Sequence, residues 1–408
     1  MISIHKEKKI IENTPNVKKL KFVDKDLKML IHDFYKHCDL NNTINREIIE
    51  SVIILYNEIN DSHINMECEE SYNKILSMFE ERAPIDEPIV SSEEIEKNKE
   101  IVNYLKTIPQ PEQRTPEWYT FRNNRLTASD LATAVNKNPY SNRNKLIMKK
   151  CGHEEPWKPG PAIEHGVKYE DVAVMIYELR NNVEVKEYGC IPHHSVSFFG
   201  ASPDGICDVN SKNTNYIGRM LEIKCPKSRP ITGFVPEYYL YQVLGQLEVC
   251  QLEYCDFLEC DIREYKNKEA FFEDSLIENE SKNINYNKKN MEKGVVIELY
   301  DHKLKKMVYR YAKPNISEFE LYAWIEQVID DSLEDDKLDY NTTTYWYLEE
   351  YCVTLVKRDR EWFKKTYLDI EKFWNDVLHY RNIGIESLKN TKEKKTYMKK
   401  KKSMSFLN

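Results

Sequence analysis

The sequence predicts an α/β protein in which a mixed central sheet is flanked by helices and extended by helical segments at both ends. Three observations carry that reading. Apolar residues recur at helical spacing through the N-terminal quarter, β-type stretches cluster in the middle of the chain, and an aromatic-rich helical pattern comes after them. At 408 residues the chain exceeds what one compact domain usually needs, so a core module with additions is expected.

Taken in order, Asp24–Cys38, Thr43–Asn60, Met66–Arg82 and Ser91–Leu105 each read as helices, the last opened by a Ser91/Glu94 capping box. Two prolines in APIDEPIVSS interrupt the pattern and three in TIPQPEQRTPEW end it, which separates a helical region 1–107 from the rest of the chain. Region 108–337 has a mixed texture. Strands are expected at Gly200–Val209, Met220–Lys224 and Tyr254–Asp261, then a hairpin at Val295–Tyr311 and a helix through Ile329 opened by Ser317 with Glu320. In region 338–408, Thr343–Arg381 reads as helix and the lysine run KNTKEKKTYMKKKKS as a disordered tail, with DNA contact or a nuclear address as its rival readings. No internal repeat is present.

The composition, 41% hydrophobic and 31% charged with mean hydropathy −0.68, contains no apolar run able to cross a bilayer. The charged start MISIHKEKK lacks a secretory pattern, so an intracellular protein with no membrane partner is expected. Its ten cysteines form no CxxC pair and are expected as reduced thiols. Cys250, Cys255 and Cys260 recur at intervals of five, without the short spacings of iron–sulfur ligands, so no such cluster is expected. A net charge of −8 confines any nucleic-acid binding to a local groove. Lys137, Arg143, Lys145, Lys149 and Lys150 could line one, or form an ordinary solvated face.

The chemistry concentrates in SPDG, Ser202–Gly205, and LEIKCP, Leu221–Pro226. Alternate residues of a strand share a face, so Glu222 and Lys224 point together while Leu221, Ile223 and Cys225 point into the core. The intervening residues read as strand, polar turn and return strand, which brings Asp204 back beside Glu222. Two crowded carboxylates repel unless a cation lies between them. Oxygen ligands without histidine or cysteine favour magnesium, with manganese as a substitute, and the Ile223 carbonyl could add one more oxygen. Such a metal activates water and neutralises a phosphodiester, while a neighbouring lysine can orient or deprotonate the nucleophile. The plain alternative for a bare D…ExK pattern is a solvated strand pair. Two tempting features are set aside. His193 and His194 would point to opposite sides of an extended strand, and Tyr238, Tyr239 and Tyr241 fit core packing as well as base stacking.

The flanking residues resemble the phage lambda exonuclease and YqaJ-type viral recombinase family, within the PD-(D/E)XK superfamily of restriction-endonuclease-like folds. Five blocks carry the likeness, in order: WYTFRNNRLTASDLATAVNKNPY at Trp118–Tyr140, EHGVKYEDVA at Glu164–Ala173, SPDG, LEIKCP, and YLYQVLGQLEVC at Tyr239–Cys250. The resemblance implies that Asp204 and Glu222 are metal ligands, Lys224 the catalytic amine, Glu170 an outer carboxylate of the metal site, and Gln242 a hydrogen-bond partner near the lysine or the attacking water. It also implies that Arg122 and Ser129 bind the 5′-phosphate of a DNA end, as a guanidinium fork beside a hydroxyl can. Arg125, three residues beyond Arg122, is a second candidate on the same helical face. Two magnesium ions are expected to bridge Asp204 and Glu222.

The resemblance further implies 5′ to 3′ resection of duplex ends, a homotrimer and a single-strand annealing partner. The Lys, Asn, Ile and Tyr bias fits a large DNA virus, hence host cytoplasm or a viral factory. Two rivals stay open: an endonuclease or nickase on the same fold, and a catalytically idle DNA-binding scaffold.

Overall fold

Stretches rich in β-branched and aromatic residues build the sheet that organises this chain. The computed structural model describes residues 27–31, 46–60, 75–78, 87–153, 160–278 and 280–388. They fall into two compact units, Met1–Pro84 with Pro230–Phe234, and Ile85–Arg229 with Val235–Asn408. In the first, helix α1 (Arg46–Asn60) lies within the helix expected at Thr43–Asn60, and residues 27–31 and 75–78 are also helical. The remainder of the expected N-terminal helices, and the lysine-rich end beyond 388, lie outside the described residues.

The second unit holds α2 (Ser92–Thr107), α3 (Pro116–Asn123), α4 (Ala128–Ala134), α5 (Arg143–Lys150), α6 (Pro161–Asn181), α7 (Glu237–Cys250), α8 (Lys268–Glu273), α9 (Glu318–Glu334) and α10 (Arg360–Ile383). Its strands are β1 (Leu126–Thr127), β2 (Val185–Lys186), β3 (Ile191–Pro192), β4 (Phe199–Ala201), β5 (Gly205–Cys207), β6 (Met220–Lys224), β7 (Tyr254–Glu264), β8 (Leu276–Glu278), β9 (Ser281–Asn283), β10 (Lys293–Asp301), β11 (Lys306–Tyr311) and β12 (Leu338–Lys357). Seven of them form one mixed sheet in the order β11-β10-β12-β7-β6-β5-β2, in which β6 and β7 run parallel. A smaller sheet has the order β1-β4-β3. The expected α/β class with a mixed sheet between helices is observed.

The two faces of β6 are buried against different helices. Leu221, Ile223 and Cys225 join Tyr169, Val172 and Ile176 of α6 in one apolar cluster. Met220, with Cys255 and Phe257 of β7, packs in another with Val243 and Leu247 of α7 and Phe373 of α10. Glu222 and Lys224 therefore face α7, as the alternation requires. Gly245 of α7 allows α4 to come close: a Cβ there would lie 3.1 Å from Leu131 and 3.2 Å from Ala128.

Three expectations are corrected. The single strand expected over Gly200–Val209 is two strands in two sheets, β4 and β5, because Ser202, Pro203 and Asp204 turn the corner between them. The helix expected over Thr343–Arg381 is in its first part β12, paired with both β10 and β7. Its aromatic and threonine-rich sequence DYNTTTYWYLEEYCVTLVK favours a strand, but a run this long has the length of a helix. The expected boundaries at 107/108 and 337/338 accordingly do not separate compact units. Val102 and Leu105 of α2 belong to the core of the second unit, and β12 lies inside its main sheet. Both capping boxes, Ser91/Glu94 and Ser317/Glu320, are formed. Among the described residues no helix is long and apolar enough to cross a membrane.

Candidate active site

The β5–β6 hairpin sets the centre of the site. Gly205 pairs with Leu221 and Ile206 with Met220, so the next pair out places Asp204 beside the end of β6. There the Asp204 carboxylate takes the position of a further strand partner, accepting the Ile223 N–H at 2.7 Å through Oδ2. Amide and carbonyl of one extended residue face the same edge, so the Ile223 carbonyl is directed toward Asp204 as well. Gly205 is required at this point, since a Cβ would approach Val185 of β2 to 2.3 Å.

Glu222 is fully buried and hydrogen-bonded on both oxygens. Gln242 donates to Oε1 at 2.7 Å and Gln246 to Oε2 at 2.8 Å, and Lys224 is ion-paired with Oε1. Burial of a carboxylate costs heavily unless it is paired in this way. Gln246 also donates to the Ser202 carbonyl at 3.3 Å, which ties helix α7 to the corner before Asp204. Burial and the charge of Glu222 push the Asp204 carboxyl well above its ordinary range, against the pull of Lys224. Burial pulls the Lys224 ammonium down, but Glu222 and Asp204 outweigh it and hold its pKa above the usual value. Its Nζ also lies 4.8 Å from the centre of the Tyr239 ring.

Glu170, on α6, stands at the margin of this cluster. Arg114 donates to its carboxylate at 3.0 Å, while burial raises its pKa and both Lys224 and Glu222 act on it. Among the described residues no three His, Cys, Asp or Glu side chains form a ready metal-holding group. The chemistry of the donors nonetheless fits a hard divalent cation: Asp204, Glu222 and the Ile223 carbonyl offer oxygen only.

A second group lies on the other side of Ser202. Arg122 of α3 donates to Ser129 Oγ at 2.8 Å and to Ser202 Oγ at 3.2 Å, and its guanidinium lies 4.2 Å from the Trp118 ring centre. Trp118 Nε1 donates to the same Ser202 hydroxyl at 3.3 Å. Arg122, Ser129 and the SPDG corner are thus one assembly. Arg125 instead lies over Phe121, 3.7 Å from its ring centre, and donates to the Phe121 carbonyl at 3.4 Å.

Of the basic run, Lys150 lines no surface groove. It is buried, paired with Asp130 at 2.9 Å and donating to the Arg122 carbonyl at 3.0 Å, so it supports the backbone under Arg122. Lys137 pairs with Glu237 and Arg143 with Asp376. His193 and His194 do not diverge: their rings stack at 4.4 Å, because the segment turns there, with the amides of Ser195 and Val196 donating to His193 Nδ1.

Sequence reasoning overlooked Gln246, the role of Ser202, and Arg114. Gln246 could have been found, since it lies four residues beyond Gln242 and shares its helical face. Ser202 and Arg114 carried no comparable signal.

Residues 117–253 match the YqaJ-like viral recombinase domain, a span that contains Arg122, Ser129, Glu170, Asp204, Glu222, Lys224, Gln242 and Gln246. An uncharacterized protein of Acanthamoeba polyphaga mimivirus is 35% identical over 308 residues, covering 69% of this chain and 55% of the relative. A protein of African swine fever virus is 27% identical over 159 residues, 33% of this chain and 45% of the relative. The chain spans about half the length of these curated relatives. Among solved structures, an alkaline exonuclease from Laribacter hongkongensis is 19% identical with a TM-score of 0.37, covering 69% of this chain and 99% of that one. The structure of LHK-Exo in complex with dAMP gives a TM-score of 0.38, with the same identity and coverage.

Proposed function

We propose that this chain, whose residues 117–253 form a YqaJ-like viral recombinase domain, is a metal-dependent deoxyribonuclease that degrades duplex DNA from an end. The resemblance adds 5′ to 3′ polarity and 5′-mononucleotide products. The observation that carries the reading is the joining of two groups through one corner: Asp204, Glu222 and Lys224 on one side of Ser202, Arg122 and Ser129 on the other.

Asp204, Glu222 and the Ile223 carbonyl would hold magnesium or manganese, with Glu170 at the margin. When bound, the metal lowers the pKa of a water and neutralises charge on the phosphodiester. The other functions belong to the chain itself. Gln242 and Gln246 fix the Glu222 carboxylate in a single orientation. Lys224, ion-paired with Glu222, stands where it can orient the attacking water or donate to the phosphate. Arg122, positioned by Trp118 and Ser202, offers its guanidinium to a terminal 5′-phosphate, and the exposed Ser129 hydroxyl adds a further donor. A catalytically idle scaffold has no need of a lysine paired with a buried carboxylate beside a second one, and an endonuclease has no need of an anchor for an end.

Incubation with magnesium and linear duplexes bearing a 5′-phosphate or a 5′-hydroxyl, beside closed circles, tests the reading. Mononucleotide release from the phosphorylated linear DNA is expected. Cutting of closed circles would sink end-dependence, and no cleavage with magnesium or manganese would favour the scaffold. The trimer, the annealing partner and a host-cytoplasm or viral-factory setting rest on the resemblance and the viral relatives. Light scattering of the purified chain tests the first of these.

A further inference from the structure

The loop between α4 and α5 carries Tyr140, whose side chain is among the most exposed large hydrophobics of the chain at 79%. The loop that carries it is held in place. Asn136 adopts a left-handed conformation at φ 61°, and the amides of Lys137 and Asn138 return to the Ala132 carbonyl at 2.7 and 3.1 Å. Asn138 is fixed in turn by Thr133 at 2.9 Å, and its side-chain oxygen accepts the Tyr140 N–H at 2.9 Å. Lys137 pairs with Glu237 at the start of α7.

From that turn a series of rings leads to the catalytic lysine. Tyr140 meets Tyr238 edge-to-face at 5.5 Å, Tyr238 lies 4.3 Å from Tyr239, and Tyr239 has Lys224 Nζ at 4.8 Å. Core packing explains Tyr239, which touches Phe257, but it leaves the solvent-facing Tyr140 ring without a purpose. An exposed aromatic face on a held loop beside the proposed nuclease centre suits an unpaired base, because every base has a π-face and stacking tolerates any sequence.

We infer that Tyr140, backed by Tyr238, is a stacking platform for a base of the strand passing Lys224, a few nucleotides from the bond that is cut. The inference rests on the proposed nuclease reading. Each ring step is under 6 Å, against about 3.4 Å per nucleotide along one strand, so the base lies near the cleaved bond rather than far along the duplex. Tyr140 thereby becomes a positioning residue for the substrate strand.

The test uses the full chain in EDTA with 5′-phosphorylated duplexes carrying 2-aminopurine at successive positions from the end, and then cleavage assays in magnesium. Quenching confined to one or two positions is expected. Tyr140→Ala should abolish it and weaken DNA binding or raise KM by about 5- to 150-fold, with kcat little changed. Tyr140→Trp and Tyr140→Phe should restore both, which a hydrogen-bonding or merely structural role would not require. Normal cleavage with Tyr140→Ala matching wild type in quenching and KM overturns the platform and leaves the nuclease reading intact. Position-specific, Tyr140-dependent quenching without cleavage supports the platform and sinks the nuclease reading. Absence of quenching at every position in the wild type also overturns the platform.

Discussion

Around Glu222, two glutamines and a lysine converge on one buried carboxylate, whereas around Arg122 a half-buried guanidinium is held by two hydroxyls and the face of a tryptophan. The first group has its orientation determined several times over, and the loss of any member leaves a polar atom buried without its partner. The second faces solvent at Ser129, so water can replace what a substitution removes. On the proposed reading, chemistry that requires a fixed carboxylate is placed where burial enforces it, and recognition of a DNA end is placed where the end can reach it.

Asp204→Asn should give the largest effect on the buried side, lowering cleavage by more than about a hundred-fold, above the range for an outer partner of a metal site. The same change should stabilise the metal-free protein. The folded-state pKa of Asp204 lies well above its ordinary value, so the folded protein holds this proton more tightly than the unfolded chain. Its contribution to stability falls as pH rises from about 4 toward that raised pKa. The asparagine variant should lack that loss, giving a higher Tm at neutral pH. A lower Tm in EDTA would contradict the electrostatic account.

Gln246→Ala should cost about 10- to 100-fold in cleavage, with wild-type activity contradicting its role in holding Glu222. Arg122→Ala sharpens the contrast, since it should spare the hydrolytic centre. A charge-assisted hydrogen bond contributes about 1.5–3 kcal/mol, so preference for 5′-phosphorylated over 5′-hydroxyl ends should fall by about 10- to 150-fold while the slower cutting of hydroxyl ends persists. Preference surviving intact would refute the end-reading assignment.

The smallest effect is expected away from both groups. Burial raises the Glu248 carboxyl, but His193 and Arg358 overcome it and push the pKa down to about 2. That stabilisation is present above the ordinary value of 4.5 and is lost as pH falls from there toward about 2. Acid unfolding of Glu248→Gln should therefore be less steep over this interval than that of the wild type, with no change in cleavage at neutral pH.

Much of the site was legible because its geometry is local. A two-residue alternation sets Glu222 against Ile223, and a hairpin returns Asp204 to the same place, so three residues could be assembled without tertiary information. Glu170 and Arg122 required the family resemblance. Burial explains one of the failures: Lys150 and Lys145 look alike in sequence, yet Lys150 is inside, paired with Asp130. The β12 segment was misread because its neighbours β10 and β7 are distant in the chain, and only pairing with them shows that a long aromatic run is a strand.

Lys224→Ala tests the central claim most directly, with magnesium-dependent release of mononucleotides and DNA binding measured on the same preparation. The account predicts that cleavage falls by roughly 10²- to 10⁴-fold, the usual contribution of a positioned proton-bearing group, while binding of 5′-phosphorylated duplex is retained. Cleavage by the variant at the wild-type rate would contradict it.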